Sequence, residues 1–510
     1  MVFFGKLCTG KEETMAQPLR SMKVLMSKVL SPIFAVLILA VSLTGQSTLY
    51  VDPAGSSGFS SIQAAINAAT PGSLILVAPG TYDEGIWIHK SLTIRSTDGP
   101  RVTAIAPSSL IAGVRIFNPA LLPFPTATLE GFRITASAPM YPAPFRAGGI
   151  IVSESNATIR NCIVTNCVGA DGGFLAYGAT GGVEITAFIY PGATHSVMEN
   201  CIISNNHGGV GSPGWPSGAG GTGGITVNSG ASLEVRHCTI VGNLGGDASG
   251  FGFGGPGGLA QFSTGILTLV NSIVWGNLGG IDLFTFGPGH FTGTPTFTFS
   301  DVQGPGIVPG ASNFNADPMF TLPTMDDFSL QPGSPCIDAA SCVSTSPYGG
   351  DLDGNPRVRG FGPDMGALEQ LFDATRIGTS EDFLLTTVVN GNFAGGLVNT
   401  KNLAGGDNLL IHWESPCGTL NGAAYYLGAQ LYVPGQEPVL TLPFFYIDGI
   451  GGSVIHGPAP LPPGGINLVA TVPQGSFMPA ILRLQALVVS PLAQTIPFVV
   501  TSDAQDLVLQ

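Results

Sequence analysis

Residues 157–167 read ATIRNCIVTNC, and the phrase returns in altered form as SVMENCIISNN (196–206), SLEVRHCTIVGN (232–243) and LTLVNSIVWGN (267–277). ATLEGFRIT (127–135) is an earlier, more divergent copy. Aligned by column, the copies place Leu129, Ile159, Met198, Val235 and Leu269 together. Three positions on stand Phe132, Cys162, Cys201, Cys238 and Ser272, and two further stand Ile134, Val164, Ile203, Ile240 and Val274. All three columns read as buried. A straight strand buries every second residue, so a step of three between inward columns means that side-chain parity breaks once between them. The break falls on Gly131, Asn161, Asn200, His237 and Asn271, residue types that tolerate left-handed backbone angles. Each copy is therefore two short strands meeting at a corner, and stacked corners predict a ladder of asparagine amides.

A second phrase precedes each copy and supplies a third strand: GGIIVSES from Gly148, GGVEIT from Gly181, GGITVNSG from Gly223, GGLAQFSTG from Gly257 and GGIDLFT from Gly279. Successive copies are 39, 37 and 34 residues apart, counted from Cys162 to Cys201, Cys238 and Ser272. A fixed rung with loops of variable length is the mark of a solenoid.

The chain at this point resembles the right-handed parallel β-helix proteins of the pectate-lyase-like superfamily, over roughly residues 48–370. The opening FSSIQAAINAATPGSLILVAPGTYDEGIWIHKSLTIRS (59–96) is similar to the capping helix and first strands of that group. Ser60 or Ser61 is the expected N-cap, and Ile62, Ala65, Ile66 and Ala69 form the apolar face. FSLQPGSPCIDAA (328–340) and DLDGNPRVRGFGPDMGALE (351–369) resemble the closing segment of bacterial choice-of-anchor β-helix domains and are expected to end the coil. Beyond about residue 371 the repeats stop. Apolar runs such as NLLIHWE (408–414), AAYYLGAQLYV (423–433) and AILRLQALVV (480–489) predict a β-sandwich.

The expected fold is thus all-β: a solenoid with an N-terminal capping helix over 47–370 and a sandwich over 371–510. Residues 1–46 read as a secretory signal. IFAVLILAVSL (33–43) is about half a membrane span, Lys23 and Lys28 form the charged flank, and Ala40, Ser42 and Gly45 lie near the cut. Met22 gives a cleaner start than Met1, because Glu12 and Glu13 lie between them. A secreted or cell-surface location follows.

Composition narrows the function. The 510 residues carry 73 glycines, 10% charged residues and a net charge of -14 with only 18 Lys plus Arg, which argues against a nucleic acid as partner, since that wants a basic patch to displace its counterions. Seven cysteines follow the signal, an odd number. Cys336 and Cys342 flank a short segment and are the first choice for a bridge in an oxidising compartment.

Pectate lyases and polygalacturonases, within the resembled superfamily, rely on clustered acids with a basic group or several aspartates. Neither set is evident here, and residues 127–300 contain no lysine. Glu130, Arg160, Glu199 and Arg236 recur in one outward column with alternating sign, a pattern expected to form a compensating ladder. The catalytic alternative is Glu199 acting as acid or base with Arg236 and His237 nearby. Asp351, Asp353 and Asn355 have the alternate spacing of a calcium loop but depart from the EF-hand pattern at Gly354 and Pro356, so a hydrogen-bonded turn competes with the metal. The insertions at 169–182, 207–224 and 245–258 should emerge along one edge. Their aromatics Phe174, Tyr177, Trp215, Phe251 and Phe253 offer flat faces for a glycan, or pin the loops to the coil. The expected function is non-catalytic binding of an extracellular polysaccharide or surface component, the alternative a polysaccharide lyase or glycoside hydrolase.

Overall fold

The computed structural model describes residues 47–509 apart from 57, 110, 118–123, 137–146, 173–176, 193, 213–217, 249–252, 281–290, 345–349, 356, 359–360, 371–381, 392–399, 436–452, 475–479, 491–498 and 503. The expected signal over 1–46 and the start of the C-terminal domain at 371 lie outside the described residues. No described helix is long and apolar enough to cross a membrane.

The repeats coil into a right-handed parallel β-helix with three walls. The first wall has nine strands, from Thr48–Val51 to Thr296–Thr298; the second has eight, from Gly80–Tyr82 to Asp301–Val302; the third has seven, from Ile86–Ile88 to Phe291–Thr292. Every pairing within them is parallel, and the register joins Ile159 to Met198, Val235 and Leu269, as the sequence columns require. Those residues, and the inward columns of Cys162 and Val164, are buried. The third-strand phrases fall on the third wall, with one correction. The strand beside Leu259–Gln261 is Phe291–Thr292, while GGIDLFT yields residues 281–285 to the undescribed part.

The corner column has the predicted backbone: φ is 83° at Gly131, 53° at Asn161, 52° at Asn200, 47° at His237 and 55° at Asn271. The amide ladder is real but interrupted. Asn200 Nδ2 donates to Asn161 Oδ1 (3.2 Å) and Asn271 Nδ2 to His237 Nε2 (2.9 Å), but between these pairs Arg357 Nη2 donates to Asn200 Oδ1 (2.7 Å). A second, inward ladder lies one strand further on. Asn206 Nδ2 donates to Asn243 Oδ1 (2.9 Å) and Asn243 Nδ2 to Asn277 Oδ1 (2.8 Å), all three residues being buried. Each amide oxygen also accepts a backbone N–H, as in Cys167 N to Asn206 Oδ1 at 2.9 Å, so these buried polar groups are satisfied.

At the N-terminal end the helix Ile62–Ala68 buries Ile62, Ala65 and Ile66 against the first strands. Ser61 caps it, and the Glu84 carboxylate accepts from Ile62 N (2.7 Å) and Gln63 N (3.0 Å), placing a negative charge at the positive end of the helix.

The closing segment does more than end the coil. Phe320, Phe328, Leu330, Leu352, Met365 and Leu368 pack on Ile163, Ile202, Val241 and Ile273, the outward residues of the second wall. The segment thus covers an apolar face along the side of the solenoid, and its far reach is marked by the Arg101–Asp353 ion pair at 2.9 Å. The expected Cys336–Cys342 bridge is corrected. Cys342 pairs with Cys417 in the C-terminal domain, whereas Cys336 is buried with its thiol donating to Asp301 Oδ2 at 3.4 Å.

The C-terminal domain is built from two sheets. One joins Leu384–Val389, Asn408–Glu414 and Ile466–Thr471; the other carries Thr400–Leu403, Ala424–Tyr432, Ser453–Pro460, Ala480–Val489, Val499–Thr501 and Gln505–Leu509. Trp413 from the first and Leu427 and Leu484 from the second meet in one core.

Candidate functional site

The groove-forming face is the outside of the third wall. Register aligns Trp87, Arg115, Ile151, Glu184 and Thr226 in one outward column. Phe117, Ser153, Thr186 and Asn228 form the other.

One flank of this face is made by the insertions, which do stack along one edge, in a form the sequence reading missed. Each runs out from the second wall and returns to the third, and the outgoing and returning arms of successive rungs pack backbone against backbone. Ala179 N donates to Ala170 O (2.9 Å), Gly209 N to Ala179 O, Gly221 N to Gly209 O, Gly246 N to Gly221 O, Gly255 N to Gly246 O and Gly280 N to Gly255 O, each of the last five at 2.8 Å. The arms are also bonded along the solenoid, as in Gly208 N to Leu244 O (2.9 Å) and Gly220 N to Phe253 O (2.9 Å). Glycine is required by contact. A Cβ on Gly221 would lie 1.9 Å from Ala179 O, one on Gly246 1.9 Å from Gly209 O, and one on Gly255 2.0 Å from Gly221 O.

Tyr177 and Phe253 stand beside the tips, 65% and 62% exposed; Phe174, Trp215 and Phe251 lie outside the described residues. Opposite the slab, the turns after the third-wall strands present Phe188 (64% exposed) and Phe262 (42%). Between the flanks runs a groove of about 730 Å³ with Tyr177 on one side and Phe188 and Phe262 on the other. Its floor carries the polar residues Ser153, Thr186, Thr226, Asn228 and Glu184 together with Ile151. Thr180 Oγ1 donates to Thr226 Oγ1 at 2.8 Å, tying slab to floor. The volume is that of an ordinary small-ligand site.

The other sequence candidates lie elsewhere. Glu199 and Arg236 are on the outside of the first wall, where register pairs them. The charge ladder there is partial. Arg160 Nη2 lies 3.0 Å and Arg95 Nε 3.6 Å from Glu130 Oε2, but Arg236 makes a two-pronged pair with Glu234 of its own strand at 2.7 and 2.8 Å. His237 is buried beneath the closing segment. Its Nδ1 donates to Asp364 O (3.3 Å), its Nε2 accepts from Asn271, and burial, helped by Arg357, pushes its pKa well below the usual value. It is a neutral corner residue with both nitrogens engaged, shut off from any substrate of Glu199. Asp351 Oδ1 accepts from Asp353 N (2.9 Å) and Asn355 N (2.7 Å), its Oδ2 from Glu369 N (2.9 Å), and the Asp353 carboxylate pairs with Arg101. The alternate acids therefore form a hydrogen-bonded turn.

Sequence reasoning missed the third-wall floor and the two phenylalanines facing the slab. The signal was present in VEIT (183–186) and ITVN (225–228), where polar residues alternate with buried Val and Ile.

A family model described as right handed beta helix region matches residues 125–287, the rungs that carry both slab and groove. No curated protein matches the chain.

Proposed function

We propose that this protein is exported and binds carbohydrate without cleaving it, in the groove on the third wall. The observation that carries the reading is the pair of aromatic flanks over a hydroxyl-lined floor: Tyr177 across from Phe188 and Phe262, above Ser153, Thr186 and Thr226. Exposed rings stack on the apolar faces of sugars, and fixed hydroxyls exchange hydrogen bonds with their rims. Export is supported by the Cys342–Cys417 disulfide, a linkage favoured in oxidising compartments. The non-catalytic reading is supported by the groove's single carboxylate, Glu184, among the described lining residues, since glycoside hydrolysis ordinarily uses two.

The test is retention on immobilised polysaccharides together with assay of the released ends. Tyr177→Ala combined with Phe262→Ala should lower retention about tenfold or more at an unchanged melting temperature, because these rings supply contact rather than core. Retention equal to wild type sinks the groove as the site. Release of reducing or unsaturated ends would favour the lyase or hydrolase alternative.

A further inference from the structure

We propose that Lys401 and Gln505, on neighbouring parallel strands of the C-terminal domain, condense into an amide cross-link between their side chains, with release of ammonia.

The register of Thr400–Leu403 and Gln505–Leu509 pairs Thr400 with Asp506 and Lys401 with Leu507. Residues two apart on a strand share a face, so Lys401 and Leu403 lie on the same face as Gln505 and Leu507. That face is the inner one: Leu403 and Leu507 belong to the core of the domain, and Gln505 is buried beside them. A lysine in this column sits where an apolar residue would be expected, and burial pulls its pKa down to about 8. Lys401 Nζ donates to Gln505 Oε1 at 2.9 Å, and Thr387 Oγ1, reaching across from the other sheet, donates to the same oxygen at 3.2 Å.

These contacts assemble the parts of an acyl transfer. Nζ is the nucleophile, Cδ of Gln505 the electrophile, and the Thr387 hydroxyl a fixed donor to the oxygen on which charge collects. With Oε1 2.9 Å from Nζ and a C=O bond of about 1.2 Å, Cδ lies at most about 4.1 Å from the amine. A rotation of the long lysine stem closes the gap to the roughly 3–3.5 Å of a near-attack arrangement. In the step itself the lone pair of the neutral amine forms an Nζ–Cδ bond while the C=O π pair moves on to Oε1. The pair then returns, the original Cδ–Nε2 bond breaks, and the departing nitrogen takes up the proton that Nζ gives up and leaves as ammonia. One amide replaces another, so neither an oxidant nor a reductant is involved. The link would span 104 positions of sequence. It would fasten Thr400–Leu403, which among the described residues is an edge strand of four residues, to the strand beside it.

The experiment is mass spectrometry of the protein kept at about pH 8, where a lysine of that pKa is about half neutral. Intact mass is measured after reduction of the disulfide, together with a peptide map. The expected result is a branched peptide joining Lys401 to Gln505, in a chain one ammonia lighter than its sequence. Lys401→Arg should restore the missing mass and abolish the branched peptide. Thr387→Val leaves the reacting atoms in place. In protein newly made at about pH 6 and shifted to about pH 8 it should slow formation of the link about tenfold or more, as expected for loss of a donor to the developing oxyanion. Should either variant fail to fold, the wild-type peptide map decides alone. Lys401 and Gln505 recovered only in separate, unlinked peptides overturn the proposal. So does a loss of ammonia that persists in Lys401→Arg without a branched peptide in wild type, because another residue has then supplied it. A link that forms at the wild-type rate in Thr387→Val overturns the part given to Thr387.

Discussion

The coil and the glycine slab solve one problem in opposite ways. In both, successive rungs are joined by parallel N–H···O bonds at the spacing of a β-sheet. The coil fills the space between its walls with side chains, the Ile, Val and Cys columns that are wholly buried. The slab has little such space to fill, because at its glycines the arms touch through carbonyl oxygens and amide hydrogens, with only the small Ala170 and Ala179 side chains between them at one end. The first arrangement tolerates a change of side chain within limits set by volume. The second admits no side chain at its interior glycines, such as Gly221, Gly246 and Gly255, so the many glycines of this chain are a packing material as well as turn residues.

The largest expected effect breaks this comparison at its centre. Gly221→Ala adds one methyl group 1.9 Å from Ala179 O, deep inside the slab, and should cost about 3 kcal/mol or more, the upper range for overpacking. Gly306→Ala meets nothing within 4 Å and should stay within about 0.5 kcal/mol of wild type. Ile203→Ala, which empties part of the coil interior, should cost about 2–5 kcal/mol. Gaining one carbon in the slab would then rival losing three in the coil. Denaturant midpoints at constant slope measure all three, and equal midpoints for the two glycine variants would show that the slab is not packed backbone to backbone.

The closing segment offers a third way of sealing a wall, with buried acids around one guanidinium, and its expected signature is a pH dependence of intermediate size. Arg357 Nη1 pairs with Glu369 Oε1 at 2.9 Å, both side chains being buried. Burial raises the Glu369 pKa and pushes Asp364 up to about 7; Asp301, beside Cys336, is likewise pushed up to about 7 by burial. A carboxyl whose folded pKa is raised keeps its proton when the unfolded chain has lost its own. The stability it contributes is full below the unfolded value near 4 and is lost as pH rises towards 7. His237, neutral in the fold but protonated in the unfolded chain at about pH 5, works in the opposite sense, so the protein should be more resistant to urea at about pH 5 than at about pH 8 by a net of roughly 1–3 kcal/mol, and Asp364→Asn should flatten the slope. Stability that rises over that interval would contradict the assignment.

The coil was legible in the sequence because its physics is written in side chains. A broken two-residue period and a column of Gly, Asn and His specify two strands and a left-handed corner without reference to any other part of the chain, and the φ values at Asn161 and Asn200 follow. The slab was not legible, because a run such as GGDASGFGFGGPGG is equally the composition of a loose loop; only the stacking of three insertions gives its glycines neighbours. The Cys342–Cys417 bridge and the Arg357–Asn200 bond join residues 75 and 157 positions apart, distances over which local pattern carries no information. The groove fell between these cases. Its floor can be read from VEIT and ITVN once a third wall is assumed, but Phe188 and Phe262 belong to turns whose direction depends on the coil around them.

The smallest effect concerns the outside of the first wall, where the sequence suggested an unbroken ladder of alternating charge and the structure has half of one. Glu130 lies between Arg95 and Arg160 and is largely shielded, whereas Arg236 is drawn to Glu234 within its own strand and away from a shared pair with Glu199. Glu130→Gln removes the acceptor of two cations and should cost up to about 1 kcal/mol, the limit for pairs still open to water. Glu199→Gln should cost less, because the nearest arginine of the next rung is already satisfied by another carboxylate. Both losses should shrink in high salt, as screening weakens exposed pairs, while the effect of Gly221→Ala, which involves no charge, should not. A Glu199→Gln variant less stable than Glu130→Gln would mean that in solution Arg236 leaves Glu234 and completes the ladder.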